Sequence, residues 1–203
     1  MLASIVCAVS CAQAETADGQ NCEANTTKSS TMEGKKILVA YFSRAGQNYA
    51  VGNVEKGNTC VLAEIIADAT GGTLFEIAPV NNYPADYDEC TRVAKSEKES
   101  GARPAIKADI PVEDYDVIYL GYPNWWADMP MAVYTFIEKH NWQGKTVVPF
   151  CTHEGSGLSR TETYVAQACK GATVGKGLAV KGQTAQNKRE QTRQTVLNWL
   201  KAQ

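Results

Sequence analysis

KKILVAYFSRAG, residues 35–46, contains the clearest strand pattern of the chain. Six apolar residues follow one another without interruption from Ile37 to Phe42, and two of them are β-branched. Strands that are buried on both faces of a parallel sheet have such short, continuous apolar runs, because helices cover both sides of the sheet. The stretch therefore predicts a central parallel strand that ends near Phe42.

Further strand patterns alternate with helical patterns along the rest of the chain. Further strands are predicted at 73–77, 117–120, 146–150 and 178–180, and helices at 59–70, 86–100, 130–139, 158–169 and 184–201. The last helix is expected to bury Val196, Leu197 and Leu200. Five strands that alternate with five helices predict an α/β fold of three layers, doubly wound around a parallel sheet. Such sheets bind ligands at the carboxyl ends of their strands.

Composition and charge exclude several classes of protein. The 203 residues fit one domain with or without a tail, and a hydrophobic content of 44% allows a sizeable core. Residues 35–203 hold 19 of the 20 Lys and Arg and 18 of the 22 Asp and Glu, a formal net charge of +1. This balance gives no footprint for nucleic acid or an anionic membrane, and no strongly acidic docking face. The seven cysteines include no C-x-x-C pair, so neither a metal site nor a thioredoxin-type redox pair is predicted.

The amino-terminal residues differ in character from the rest. Residues 1–14 are small and apolar and end in Ala-Gln-Ala, as a secretory signal segment does, although no Lys or Arg precedes the apolar stretch. This stretch is too short to cross a bilayer, and Cys11 is an alternative site for a lipid anchor. Residues 15–34 are polar and predict a flexible tether before one domain at 35–203. An exported protein, periplasmic or lipid-anchored, is therefore expected, with a cytoplasmic location as the alternative.

Two segments after the first strand indicate a phosphate site. SRAG at 43–46 follows the strand, and GNT at 57–59 opens the first amphipathic helix, which is expected to begin at Asn58 or Thr59. The free N–H groups and the dipole of a helix N-terminus both favour an anion. Neither a P-loop nor a dinucleotide-binding motif occurs here, and a cradle without lysine suits a cofactor monophosphate. An ordinary capped turn between strand and helix is the alternative interpretation.

The loops after the third and fourth strands bring aromatic and small residues to the same edge. GYPNWW at 121–126 places two tryptophans where a flat ring can stack, and one of them is expected to pack beneath the loop. CTHEGSG at 151–157 lets the backbone approach a ligand closely. His153 is a candidate hydrogen-bond and proton donor, with a bond that only stabilises the loop as the alternative. The Gly155-Ser156-Gly157 spacing differs from the nucleophile elbow of hydrolases, so a hydrolase is not predicted. The three loops together predict a site for a phosphorylated flat heterocycle.

These loops resemble those of the flavodoxin-like family. The resemblance rests on YFSRAG (41–46), GNT (57–59), GYPNWWADMP (121–130) and FCTHEGSG (150–157), and it extends over residues 35–203. It implies a five-stranded sheet in the order 2-1-3-4-5 and one bound FMN. The residues that it implies for the phosphate are Ser43, Arg44, Ala45, Asn58 and Thr59. Those implied for the flavin ring are Pro123, Asn124, Trp125 and Trp126 on one side, and Thr152, His153, Glu154, Gly155, Ser156 and Gly157 at the other edge.

The first loop departs from the family pattern. Residues 47–56 separate SRAG from GNT, which leaves open which of Gln47, Asn48, Asn58 and Thr59 contact the phosphate. The inserted residues also predict an extra flap near the flavin.

Three functions remain after this comparison of residues. A flavodoxin-type electron carrier is favoured, because no nicotinamide-binding motif is visible and the cofactor itself supplies the redox chemistry. The alternative is an FMN-dependent NAD(P)H:quinone or nitro reductase, in which His153, Tyr83, Tyr87 and Tyr122 are candidate proton donors. A flavin-free binding module is the third. The expected redox partner is either a protein or a small quinone-like acceptor.

Overall fold

The computed structural model describes residues 34–203, and every structural statement below concerns this part of the chain. The predicted signal segment at 1–14, the candidate lipid-anchor site Cys11 and the tether as far as residue 33 lie outside the described residues. Within the described part, no helix combines the length and the apolar character that crossing a membrane requires.

The five predicted strands alternate with helices along the chain, and three short strands and one additional helix add to this pattern. The strands are β1 (Ile37–Tyr41), β2 (Gly46–Asn48), β3 (Gly52–Val54), β4 (Thr73–Glu76), β5 (Val117–Pro123), β6 (Thr146–His153), β7 (Thr173–Val174) and β8 (Leu178–Lys181). The helices are α1 (Asn58–Thr70), α2 (Tyr87–Ser100), α3 (Met131–Glu138), α4 (Thr161–Ala168), α5 (Gly182–Asn187) and α6 (Arg189–Leu200), and one 3-10 turn lies at Val112–Asp114. The predicted start of the first helix is confirmed, because α1 begins at Asn58.

The main sheet is parallel and confirms the order 2-1-3-4-5. β4, β1, β5 and β6 lie side by side, so the first four predicted strands occupy the expected positions. Two short strands share the fifth position, because β7 pairs with the start of β6 and β8 with its end. The two residues of β7 are too few to give a pattern in the sequence.

β1 supplies both faces of the sheet with buried side chains. Leu38 and Ala40 belong to one apolar cluster, which α3 and α4 cover. Val39 and Tyr41 belong to a second cluster on the opposite face, which α1 and α6 cover. The uninterrupted apolar run is thus explained, since no residue of this strand faces water.

The prediction of a single helix at 184–201 is wrong. The chain forms α5 and α6 instead and breaks at Lys188, whose φ and ψ of −134° and 59° are not helical. The Thr192 hydroxyl lies 3.1 Å from the carbonyl oxygens of both Thr184 and Lys188, to which it donates. The end of α5 and the start of α6 are therefore held by a side-chain contact rather than by a continuous helical ladder.

The buried side of α6 differs in part from the expected one. Val196 is fully buried as predicted, whereas Leu197 and Leu200 are only half-buried. Trp199 is 8% exposed, and its indole Nε1 donates to the carbonyl of Lys176 over 2.9 Å. A tryptophan can be buried here because its polar end has a partner.

The inserted residues form a small antiparallel hairpin, β2–β3, in which Gln47 lies opposite Asn53. Ala50 and Gly52 turn the chain with φ angles of 64° and 72°. Strands of three mostly polar residues carry no alternating apolar pattern, so the sequence does not predict them.

Candidate functional site

The first loop forms a cradle at the start of α1. Ser43 Oγ accepts the N–H of Cys60 (3.1 Å), and the carbonyl of Gly57 accepts the N–H of Val61 (3.4 Å). The N–H groups of Asn58 and Thr59, also in the first turn, have no hydrogen-bond partner within residues 34–203. Because such N–H groups and the helix dipole both favour an anion, this end of α1 can bind a phosphate.

Gly57 lets the inserted hairpin return to the cradle. A Cβ at this position would lie 2.5 Å from the carbonyl oxygen of Arg44 and 2.7 Å from its nitrogen, and it would overlap Ser43 Oγ. The φ of Gly57 is an ordinary −65°, so close approach rather than backbone conformation requires the glycine. Both halves of the predicted cradle therefore stay in contact despite the insertion at 47–56.

A pair of buried hydroxyls joins the cradle to the third loop. Thr59 Oγ1 lies 2.8 Å from Thr152 Oγ1, and the two residues are 1% and 3% exposed. One hydroxyl donates to the other, which fixes the start of α1 against the carboxyl end of β6.

Asn124 joins the second loop to the third. Its backbone N–H donates to the carbonyl of Thr152 (2.8 Å). Its side-chain Nδ2 donates to the carbonyl of Gly157 (2.8 Å) and to Ser159 Oγ (3.0 Å). The three loops predicted from the sequence thus meet at one rim, at the carboxyl ends of β1, β5 and β6.

The two tryptophans of the second loop have different environments. Trp125 is half-buried and packs edge-to-face against Phe42 and Tyr83, with ring centroids 5.3 and 5.0 Å away. Trp126 is 50% exposed, and its Nε1 donates to the carbonyl of Thr91 in α2 (3.1 Å). Trp125 is therefore the tryptophan that packs beneath the loop, and Trp126 offers the exposed aromatic face.

A tight turn presents Trp126. Trp126 and Ala127 both have left-handed φ angles, 55° and 60°, and the backbones of Trp125 and Asp128 exchange two hydrogen bonds. The buried carboxylate of Asp128 stabilises the turn, because it accepts the N–H of Met129 (2.8 Å) and the Tyr134 hydroxyl (2.9 Å). Sequence reasoning did not identify Asp128, whose partner lies in another element.

Arg44 reaches from the first loop to the segment before α2. Its guanidinium donates to the carbonyls of Pro84, Ala85 and Gln47 at 2.7 to 3.0 Å. The resemblance implies that Arg44 contacts the phosphate. These carbonyls engage its side chain, while its backbone lies against Gly57 in the cradle. Ala45, the next predicted residue, is exposed.

His153 ends β6 and shapes the third loop. Its Nδ1 accepts the N–H of Gly155 (2.9 Å), so the loop-stabilising bond foreseen as an alternative is present. Burial lowers the pKa of His153, and the charge of Lys181 lowers it further. The neutral ring that results carries its proton on Nε2, because Nδ1 is the acceptor.

The rest of the third loop depends on glycine. Gly155 and Gly157 have φ angles of 140° and 60°, conformations that favour glycine, and Ser156 between them is exposed. Pro123, the remaining predicted residue, ends β5 beside Thr152.

α5 closes the site from a side that the sequence did not reveal. Glu154 Oε1 accepts the N–H of Gln183 (2.7 Å), and burial raises the pKa of this carboxyl. Gln186 Nε2 donates to Asn58 Oδ1 (2.9 Å), which fixes the Asn58 side chain against α5 and does not engage the backbone N–H of Asn58. A Cβ on Gly182 would overlap the Asn58 side chain, so α5 lies directly against the cradle.

Comparison with known proteins assigns this arrangement to a family. A family model described as Flavodoxin matches residues 36–201. A search of curated proteins returns no match.

Solved structures agree with the family match. A candidate flavoprotein from Bacteroides eggerthii is 32% identical, with 83% of this chain and 97% of that chain covered and a TM-score of 0.65. A second one, from Bacteroides uniformis, is 33% identical, with 81% and 99% covered and a TM-score of 0.62. A flavoprotein from Lactobacillus acidophilus, solved in complex with FMN, is 21% identical, with 77% and 99% covered and a TM-score of 0.56. At that identity the last comparison shows the fold alone.

Proposed function

The chain belongs to the flavodoxin family, and on that basis we propose that it binds one FMN at this rim and carries electrons through it. The observation that carries the proposal is the junction of the three loops, through the Thr59–Thr152 hydroxyl bond and the bonds of Asn124. The FMN complex of the Lactobacillus acidophilus protein, which shares the fold, supports the choice of cofactor.

The phosphate of FMN is assigned to the cradle. The free N–H groups of Asn58 and Thr59 and the positive end of the α1 dipole stabilise an anion there. Because backbone carbonyls hold the Arg44 guanidinium, backbone donors supply most of this binding. Gly57 keeps the cradle narrow.

The flavin ring is assigned to the edge between the second and third loops. Trp126 offers an aromatic face for stacking, and the glycines around Ser156 let the backbone approach the ring. Bound FMN supplies reversible electron transfer at this edge, while the residues of the chain orient it and shield one side from water. The Nε2 proton of His153 is available to a ligand at the same edge.

A carrier is proposed because the chain shows no nicotinamide-binding motif. The second candidate is an FMN-dependent NAD(P)H:quinone or nitro reductase. The near-neutral charge of residues 35–203 favours it, since a dedicated carrier is expected to present an acidic docking face.

Titration of the purified full chain with FMN tests cofactor binding. We expect one FMN per chain, and binding of riboflavin at least about tenfold weaker, because riboflavin lacks the phosphate that the cradle holds. A protein that is colourless after excess FMN has been added and the free FMN removed contradicts both redox functions and leaves the flavin-free binding module.

Kinetics of the FMN-loaded protein separate the two redox functions. A carrier oxidises NAD(P)H negligibly when quinones are supplied without a partner reductase, and its reductive titration proceeds in one-electron steps. Rapid steady-state oxidation of NAD(P)H with any quinone of the panel contradicts the carrier and supports the reductase.

We also propose that the protein is exported. The apolar residues 1–14 and their Ala-Gln-Ala end support a signal segment. Intact-mass measurement on the protein from fractionated cells tests this proposal. A mass that lacks the first 14 residues, or a lipid-modified Cys11, agrees with export, whereas an uncleaved chain in the cytoplasm contradicts it.

A further inference from the structure

A cavity adjoins the second loop on the side that faces α2. It has a volume of about 240 Å³ and lies between the Trp125–Trp126 segment, the hairpin residue Asn48 and α2. Neither the cradle residues Asn58 and Thr59 nor any residue of the third loop lines it. The cavity therefore lies away from the start of α1. It borders the proposed FMN site through Arg44 of the first loop and through Asn124, Trp125 and Trp126 of the second loop, which all line it.

One face of α2 forms a wall of this cavity. Tyr87, Cys90, Thr91 and Ala94 line it, at the i, i+3, i+4 and i+7 positions that share one side of a helix. Three of these four side chains are small, and Cys90 and Ala94 are only 3% and 6% exposed. The inward face of α2 is thus too small to fill the space in front of Trp126.

Exposed aromatic rings flank the mouth of the cavity. Among the described residues, the large apolar side chains that face solvent are Tyr49, Leu74, Val80 and Trp126. The two aromatic ones lie here, since Trp126 lines the cavity and the ring of Tyr49 is 5.9 Å from that of Tyr87. Exposed apolar surface gathered around a concavity marks a binding site more often than scattered residues do.

Trp126 is also held in place. Besides the bond from its indole to Thr91, its carbonyl accepts the Lys98 ammonium (2.5 Å), and Lys95 Nζ lies 5.4 Å from its ring centroid. A ring fixed before binding loses little conformational entropy when a ligand packs against it.

We infer that this cavity binds a planar aromatic molecule of one or two fused rings that carries a carbonyl or hydroxyl group. The volume is just below the roughly 300–1,000 Å³ of sites for drug-sized ligands, which suits a molecule of this size. Trp126 and Tyr87 provide ring faces, and the Tyr87 hydroxyl has no hydrogen-bond partner within residues 34–203. The inference goes beyond the proposed function, because it concerns a second ligand and holds whether or not FMN binds.

The test measures binding rather than turnover. The probe is 2,3-dimethyl-1,4-naphthoquinone, which has no free quinone position for thiol addition. It is titrated into the oxidised full chain, with and without FMN and without reductant, by calorimetry. We expect one site per chain. Ala94→Leu, which fills the cavity, weakens probe binding about tenfold or more. The matched control Ala166→Leu, on the exposed side of α4, leaves the affinity within about twofold.

FMN titration of the same variants completes the test. Ala94→Leu should keep the FMN affinity of the parent chain, and Thr91→Leu should repeat the result if Ala94→Leu melts early. Absence of probe binding, or an unchanged affinity in both cavity variants, overturns the inference. A parallel loss of FMN affinity also overturns it, because the cavity then belongs to the flavin ring and the proposed function stands. Probe binding that Ala94→Leu abolishes, in a chain that takes up no FMN, supports the inference and contradicts the proposed function.

Discussion

Removal of one hydroxyl from the Thr59–Thr152 pair should destabilise the domain measurably. Thr152→Val keeps the shape of the side chain but leaves Thr59 Oγ1 buried without its partner, at a position that is 1% exposed. A buried hydroxyl that loses its partner costs about 1–3 kcal/mol of the free energy of unfolding. For a domain of this size, each kcal/mol lowers Tm by roughly 2–4 °C.

The double variant distinguishes the hydroxyl bond from packing. When Thr59→Val is combined with Thr152→Val, no polar atom of the pair stays unpartnered, so the double variant should lose less free energy than the two single variants together. Urea unfolding of the four proteins, followed by circular dichroism, gives the coupling energy, which we expect to be about 1 kcal/mol or more. A double variant that loses the full sum of the single losses would refute the bond as the link between the two loops.

Three further variants probe other parts of the site. Gly57→Ala places a Cβ 2.5 Å from the carbonyl oxygen of Arg44 and so disturbs the cradle. In fluorescence titrations the FMN affinity should fall about tenfold or more, while the riboflavin affinity changes little. Equal losses of FMN and riboflavin affinity would contradict a phosphate cradle. The lowered pKa of His153 means that the unfolded chain takes up this proton first, so stability falls as pH drops below about 6.5. His153→Gln should flatten this decline in urea unfolding between pH 7.5 and 5, and an unchanged decline would exclude His153 as its cause. Ala127→Gly should raise Tm slightly, because the left-handed backbone conformation of residue 127 costs an alanine about 1 kcal/mol more than a glycine. A lower Tm would mean that the Ala127 methyl group packs favourably.

The fold could be predicted because its strongest patterns arise from burial. The run from Ile37 to Phe42 has no polar position, because both faces of β1 are covered. The apolar run is visible in the sequence without a structure. The break at Lys188 could not be predicted, because it depends on the Thr192 hydroxyl reaching two carbonyls. Nothing in the polar sequence of 184–195 distinguishes this turn from a continuous surface helix.

The site could be predicted at the level of loops but not of contacts. Residue types after each strand were enough to predict that the three loops form one site, and the loops do meet at one rim, whereas the binding of a phosphate and a ring there stays a prediction. The residues that hold these loops are distant in sequence, as in the bond from Gln186 to Asn58, and no local pattern connects them. Arg44 shows the same limit, because the resemblance implies a phosphate contact for it but no local pattern indicates that the carbonyls of Pro84 and Ala85 engage its guanidinium.

Arg44 also explains how the chain accommodates its insertion. One guanidinium contacts the hairpin through Gln47 and the segment before α2 through Pro84 and Ala85, while the Arg44 backbone meets Gly57. The hairpin is therefore anchored at α2 and lies outside the cradle, which keeps its narrow form. Since Asn48 of this hairpin lines the cavity beside α2, the insertion adds a wall to that cavity. It also leaves the N–H groups at the start of α1 free for an anion.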